Sequence, residues 1–116
     1  MIVAVDFDDT ITYPSPYPIT GKIRIDAIDT LNYFKDMGIK IILWTCRTGK
    51  YLSEAVELCR VNGLVFDAVN ENIYDTDSRK VLADVYIDDK CLSIINWKNI
   101  KKKVIKIFKE NDSERK

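Results

Sequence analysis

Residues 3–11 have the sequence Val3-Ala4-Val5-Asp6-Phe7-Asp8-Asp9-Thr10-Ile11, and this segment sets the architecture that we expect for the whole chain. The apolar run that leads into it shows no polar alternation, which is typical of a strand buried on both faces of a parallel sheet. Three aspartates then end the strand. Residues two apart in an extended backbone point the same way, so Asp6 and Asp8 can share one site while Asp9 points elsewhere or turns the chain. An acidic turn explains these residues equally well, because aspartate is a common turn former.

Strands and helices alternate along the rest of the chain. Apolar residues at three- and four-residue spacing predict helices over 22–37, 50–62 and 97–111. Continuous apolar runs predict strands over 39–44, 64–69 and 83–87. Gly38 and Gly63 stand where glycine caps belong, after the first two helices. The pattern predicts an α/β fold, a three-layer Rossmann-like parallel sheet of strand order 3-2-1-4 with flanking helices and right-handed crossovers.

The last helix and the composition complete this expectation. The inner face of the helix should contain Trp97, Ile100, Val104, Ile107 and Phe108, and the last five residues should fray. A chain of 116 residues, 47% hydrophobic and 31% charged, is expected to form a single soluble globular domain over residues 1–116.

Charge and hydropathy narrow the partners and the location. The formal net charge is zero, so no global field attracts nucleic acid or an anionic membrane. The sequence contains no apolar run of the roughly 18 residues that a membrane span needs. Since no secretory signal is visible either, we expect a cytoplasmic protein.

The chain contains no histidine, which excludes a Ser-His-Asp triad, a Cys-His dyad and a His-ligated zinc site. A metal ion would therefore be bound by oxygen atoms, which favours magnesium. Cys46, Cys59 and Cys91 are odd in number and widely spaced, so they do not indicate a disulfide framework. A cysteine phosphatase needs arginine six residues after its cysteine, whereas Leu52 follows Cys46 at that spacing. We expect Cys46 to be a small buried residue.

Polar groups follow three of the four predicted strands. Asp6 and Asp8 follow the first strand, Thr45 the second, and Asp88 and Asp89 the fourth. Open α/β sheets bind ligands outside the carboxyl ends of their strands, so these groups are expected around one crevice. Two unit charges 4 Å apart repel by about 4 kcal/mol at an effective dielectric near 20, so such a cluster needs protons or a divalent cation.

The segment from Asp6 to Thr10 resembles the Asp-x-Asp-x-Thr signature of the haloacid dehalogenase-like superfamily. The strand that ends at Thr45 resembles the second motif of that superfamily, Lys80 its third, and Ile87-Asp88-Asp89 its fourth. The four motifs occur in the order of the superfamily and span residues 2–89.

The resemblance implies a phosphatase that works through an aspartyl-phosphate. Asp6 would be the nucleophile, and Asp8 would protonate the leaving oxygen and later activate water. Thr45 and Lys80 would bind the phosphoryl group. Mg2+ would be bound by the Asp6 carboxylate, the main-chain carbonyl of Asp8, and Asp88.

Short connections over residues 9–44 and 70–79 imply a small member without a cap domain. Its open site would admit small or large phosphorylated substrates, or be closed by a second subunit. Lys80 lies unusually close to the fourth strand, so Lys90 and Lys50 stay alternatives for the catalytic lysine. Asp89 could bind the metal through water or support Lys80.

Two further groups have alternative interpretations. Arg47 follows Thr45 and could bind a substrate phosphate through two hydrogen bonds, or be a surface arginine. Asn70, Glu71 and Asn72 could touch substrate, although such residues more often form turns.

Three other functions fit parts of this pattern. A phosphoacceptor module of the receiver type uses similar residues around magnesium, but it has its acidic pair after the first strand and its lysine after the last. An interaction protein could keep the fold without catalysis. Processing of nucleic-acid ends is a variant of the phosphatase hypothesis that an open site permits and that the neutral charge does not support.

Overall fold

The computed structural model describes residues 1–92 and 94–114, with side chains as far as Asn111. Strands and helices alternate as the sequence predicts. In chain order the elements are β1 (Ile2–Val5), α1 (Ile25–Asp36), β2 (Lys40–Leu43), α2 (Gly49–Val61), β3 (Ala68–Val69), β4 (Val85–Ile87) and α3 (Trp97–Glu114). None of the helices in the described ranges combines the length and the apolar character that crossing a bilayer requires.

The four strands form one parallel sheet in the order β3-β2-β1-β4, which confirms the predicted topology. Val5, the last residue of β1, is in register with Leu43 of β2 and Ile87 of β4. The amide of Asp6 donates to the carbonyl of Ile87 at 2.9 Å, so the β1–β4 ladder continues one residue past the strand. The carboxyl ends of β1, β2 and β4 therefore lie side by side at one edge of the sheet.

Different layers cover the two faces of the sheet. Val3 and Val5 belong to a buried apolar cluster to which all three helices contribute side chains. Ala4 and Ile42 point to the other face, where the buried partner from outside the sheet is Val81 of the connection between β3 and β4. No helical side chain of the described residues belongs to that second cluster. The third layer is therefore the irregular segment 70–84, and the helices lie on one face.

Two strands are shorter than their apolar runs. The run over 64–69 forms a strand only at Ala68–Val69, although Leu64 is fully buried. Near β4, Asp84 lies inside the predicted strand, but its side chain accepts a hydrogen bond from the amide of Ile2 at 2.7 Å and the strand begins one residue later. In these two segments an apolar residue indicates a buried side chain. Whether its backbone pairs as a strand depends on where the neighbouring strand ends.

The helices differ from prediction mainly at their ends. Gly38 and Gly63 follow α1 and α2 with φ of +88° and +91°, which confirms the two predicted caps. Helix α3 reaches Glu114, beyond its predicted end at Asn111, while residues 115–116 of the segment expected to fray lie outside the described part. Ile107, expected on the inner face, is 37% exposed.

Candidate functional site

A cleft of about 540 Å³ opens at the carboxyl ends of β1, β2 and β4. Half of its lining residues are aspartates, and it carries aromatic side chains as well. Its lining residues are Asp6, Asp8, Asp9, Tyr17, Trp44, Thr45, Cys46, Asp88, Asp89 and Lys90. Five residues that the sequence places at strand ends thus line one cleft, although up to 83 positions separate them: Asp6, Asp8, Thr45, Asp88 and Asp89.

A tight turn after β1 positions the first acids. The carbonyl oxygen of Phe7 accepts hydrogen bonds from the amides of Thr10, Ile11 and Thr12 at 3.2, 2.9 and 3.2 Å. Asp9 occupies the left-handed region with φ of +58°, which aspartate tolerates better than most residues, and its carboxylate accepts from the amide of Ser15 at 2.8 Å. Asp9 turns the chain, so the acidic-turn interpretation and the shared-site interpretation both describe this segment.

Thr10 connects the end of β1 to the end of β4. Its buried hydroxyl donates to the Asp6 carboxylate at 3.4 Å and accepts from the amide of Asp89 at 3.2 Å. Its carbonyl accepts from the indole N–H of Trp97 at 3.0 Å, so α3 fixes the turn. The sequence analysis did not predict this role. The available signal was the position of Thr10 inside the Asp-x-Asp-x-Thr segment.

Asp6, Asp88 and Asp89 form a compact carboxylate cluster. One oxygen from each lies within 4.8 Å of the others. Burial and a hydrogen bond with Asp89 raise the pKa of Asp6 to about 7. Burial also raises the pKa of Asp89, but hydrogen bonds with Asp6 and Lys90 outweigh it and leave that pKa below its ordinary value. Below about pH 7, a proton on Asp6 therefore relieves part of the repulsion between these carboxylates.

This donor set fits a hard divalent cation. Carboxylate oxygens are the ligands that such ions prefer, and a bound cation would remove the repulsion that otherwise keeps Asp6 protonated. Asp88 was expected among the ligands, and the structure adds Asp89 as a direct candidate.

Asp8 is paired with Arg47. The guanidinium donates to the two carboxylate oxygens through Nε at 2.7 Å and Nη2 at 2.6 Å. Burial raises the pKa of Asp8, but hydrogen bonds from Arg47 and Ser15 reverse this and hold the pKa below its ordinary value. The carboxylate is 23% exposed and stays at the edge of the cleft.

Arg47 itself is fully buried, which corrects both the substrate-binding and the surface interpretation. Beyond Asp8, it donates to the carbonyl of Pro18 at 2.9 Å. The rings of Phe7 and Tyr17 lie 5.1 Å from its central carbon. Its donors are therefore used inside the protein. The sequence did not reveal this, because the partner lies 39 positions away.

The structure does not bring Lys80 to the cleft. Its ammonium lies 5.2 Å from the centre of the Tyr86 ring, in a residue that is exposed and absent from the lining. Lys50, one alternative, sits beside the Tyr51 ring at 5.2 Å. Lys90, the other alternative, lines the cleft with its ammonium 3.3 Å from the Asp89 carboxylate. Among the three lysines, Lys90 alone occupies the position expected of Lys80.

Thr45 is held at the cleft by its neighbours. Its amide donates to the side chain of Asn70 at 2.8 Å, and its hydroxyl accepts from the amide of Arg47 at 3.2 Å. Asn70 has φ of +53° and does not line the cleft, which favours the turn-forming interpretation. Cys46 is exposed in the cleft rather than buried, because it follows the end of β2.

Comparison with known proteins gives one informative match. No family model and no curated protein matches the chain. Among solved structures, the chain is similar to the conserved protein coded by a locus from Bacteroides thetaiotaomicron, with a TM-score of 0.85 and 37% sequence identity. The match covers 91% of this chain and 90% of that chain. The chain therefore belongs to the same family as that conserved Bacteroides thetaiotaomicron protein.

Proposed function

We propose that the chain is a magnesium-dependent phosphatase of the haloacid dehalogenase-like type, which transfers the phosphoryl group of a phosphomonoester to water. The observation that carries the proposal is the meeting of Asp6 with Asp88 and Asp89 in one cleft that Asp8 and Thr45 also line. Acids that follow the first and the last strand thus converge at the carboxyl edge of a parallel sheet, where such folds bind ligands.

Asp6, Asp88 and Asp89 would bind Mg2+. The ion would neutralise the carboxylates and the charge of the bound phosphoryl group. A carboxylate has two oxygens, so Asp6 can bind a cation through one oxygen and use the other as the nucleophile. Deprotonation of Asp6 goes with metal binding, because the proton that it holds near neutral pH would be displaced.

In the first step the free oxygen of Asp6 bonds to phosphorus and the bond from phosphorus to the leaving oxygen breaks. Lys90 and Thr45 bind the oxygens of the phosphoryl group. In the second step Asp8 accepts a proton from water, which attacks phosphorus and releases the Asp6 carboxylate. The pair with Arg47 keeps Asp8 ionised, which suits this second role.

The same pair opposes the role of Asp8 as an acid. A protonated Asp8 would lose the charge that holds Arg47, so leaving groups that depart without a proton are favoured. The position of Lys90 in the cleft after the last strand also supports a second candidate, a phosphoacceptor module in which the aspartyl-phosphate forms on Asp6 and is not hydrolysed. Both candidates use the same nucleophile and differ in the fate of the intermediate.

An assay with p-nitrophenyl phosphate, nucleotides and sugar phosphates in the presence of magnesium tests the proposal. We expect turnover by the parent protein and loss of turnover to background in Asp6→Asn. Asp75→Asn is the matched control, because Asp75 is exposed on the 70–84 segment. Parental activity in Asp6→Asn would contradict the proposal. A stable phosphorylated species in mass spectrometry, without phosphate release, would favour the phosphoacceptor module.

A further inference from the structure

We propose that this site selects a phosphomonoester with a single phosphate on a flat, uncharged ring system, which Trp44 and Tyr17 hold from two sides of the cleft. The inference rests on the proposed phosphatase function and extends it to the class of substrate. It follows from the contacts that hold the two aromatic side chains in place and from the charge of the cleft.

Trp44 follows the end of β2, and its ring packs against that of Tyr86. It lines the cleft, is 37% exposed, and lies 5.4 Å from the Tyr86 ring, centre to centre. The Tyr86 hydroxyl donates to the carbonyl of Val81 at 2.6 Å and accepts from the amide of Ala83 at 3.2 Å. Since the segment 70–84 fixes Tyr86 in this way, the indole is held in place while part of it faces the cleft.

Tyr17 is held from the other side of the sheet. It is 58% exposed and lines the cleft, and its ring lies 6.2 Å from that of Tyr51 on α2. The Arg47 guanidinium lies 5.1 Å from the Tyr17 ring and donates to the carbonyl of the next residue, Pro18. Tyr17 is thus attached to the helical face, whereas Trp44 is attached to the face covered by segment 70–84. The two rings flank the cleft.

The charge of the cleft limits what else the substrate can carry. Its lining contains five carboxylates, and Lys90 is its one cationic side chain within the described residues. Arg47 cannot contribute a further cation, because its donors are used by Asp8 and by backbone carbonyls. The described lining therefore offers no free cationic side chain for a second phosphate or a carboxylate on the leaving group, since Lys90 would bind the phosphoryl group. An uncharged ring instead gains contact with aromatic faces.

The size of the cleft agrees with this class. About 540 Å³ lies within the range of pockets that enclose a small-molecule ligand. Stacking on an aromatic side chain depends on the flat face of a ring and not on its hydrogen-bonding edge. Aryl phosphates and nucleoside 5′-monophosphates share this ring chemistry and are separate arms of the test. Of the two, the aryl phosphate also has a leaving group that departs without a proton.

Binding can be measured without turnover in Asp6→Asn. Calorimetry with magnesium present would compare phenyl phosphate and a nucleoside 5′-monophosphate with glycerol phosphate and fructose 1,6-bisphosphate. We expect the ring compounds to bind at least about tenfold more tightly than the other two, as a stacking contact allows. The ring compound that binds more tightly shows whether the substrate is an aryl phosphate or a nucleoside 5′-monophosphate.

The aromatic variants test the two residues directly. In the Asp6→Asn background, Trp44→Ala and Tyr17→Ala should each weaken binding of the ring compounds by about tenfold, and leave glycerol phosphate unchanged. Trp44→Phe should keep most of the preference for ring compounds. This variant still tests the inference if the alanine variant folds poorly. Tyr74→Ala is the control, because Tyr74 is 72% exposed and lies outside the cleft lining.

Two results separate this inference from the proposed function. Turnover in the parent protein with no preference for ring compounds would overturn the substrate class and leave the phosphatase in place. Equal binding of ring and non-ring compounds in Asp6→Asn would overturn it independently of any turnover. Absence of turnover, with the ring preference intact, would contradict hydrolysis and support the assigned ligand.

Discussion

The fully buried guanidinium of Arg47 donates one hydrogen bond to each carboxylate oxygen of Asp8, at 2.7 and 2.6 Å. Because Arg47 also donates to the carbonyls of Pro18 and Tyr51, one side chain joins the turn after β1, the proline-rich loop and helix α2. The wall of the cleft is therefore built around a buried cation, and Asp8 is the acid that neutralises it.

Arg47→Ala should be strongly destabilising. Breaking a buried ion pair by removing one partner typically costs about 3–5 kcal/mol, and the partial exposure of Asp8 places the loss toward the lower end. Urea unfolding measures it, with Arg60→Ala as a matched control. Arg60 also donates two hydrogen bonds to a carboxylate, that of Glu57, but both residues are exposed. The loss of stability in Arg60→Ala should therefore be small by comparison. Equal losses in the two variants would contradict the structural role of Arg47.

Asp6 should make the metal-free protein less stable as the pH rises. Burial and the hydrogen bond with Asp89 raise its pKa from 3.8 to about 7, so the folded state keeps a proton that the unfolded chain releases. The resulting stabilisation is complete below about pH 4 and is lost as the pH rises through about 7. Asp8 has the opposite sign, since its pKa is lowered, but its effect is confined to acid pH.

Urea unfolding with a chelator at pH 5 and pH 8 checks this dependence. The parent should be less stable at pH 8 than at pH 5, and Asp6→Asn should reduce that difference. Added magnesium should stabilise the parent more at pH 8, where it does not compete with a proton. A parent protein with the same stability at both pH values and no response to magnesium would contradict the assignment.

Local sequence patterns were sufficient for the sheet and for most of the acidic groups. An apolar run that ends in acids marks a strand and its carboxyl end at once, so Asp6, Asp8, Thr45 and Asp88 could be placed from their own neighbourhoods. Strand order then followed from the topology of parallel sheets.

Longer-range features could not be predicted in the same way. Charged residues are rarely buried unless they are paired, and the partner of Arg47 lies 39 positions away, so nothing local marks Arg47 as a core residue. Lys80 and Lys90 are both exposed lysines near β4. The path of segment 70–84 keeps Lys80 out of the cleft lining, whereas Lys90 reaches the cleft because it follows the end of β4. The same path, which lacks a helix in the structure, makes the third layer irregular.

Magnesium binding should depend on the carboxylates of β4. Asp88→Asn and Asp89→Asn should each weaken the affinity by more than about tenfold in calorimetry, because changes even to outer-shell groups of metal sites cost 10–100-fold. Asp75→Asn should leave the affinity unchanged, since Asp75 is exposed and belongs neither to the cluster nor to the cleft lining. If Asp89→Asn alone left the magnesium affinity unchanged, Asp89 would not bind the ion directly. It would then act on the ion through water, as the sequence analysis also allowed.

Lys90 and Lys80 should differ sharply in turnover. Removal of one group that stabilises developing charge typically costs about 10²–10³ in kcat, and the exposure of Lys90 places Lys90→Met near the lower figure. Lys80→Met should keep kcat and raise KM slightly, because Lys80 contacts the Tyr86 ring that supports Trp44. Steady-state kinetics with p-nitrophenyl phosphate separates the two effects. If Lys80→Met lost as much kcat as Lys90→Met, segment 70–84 would have to carry Lys80 into the cleft during the reaction, and the assignment of Lys90 would be wrong.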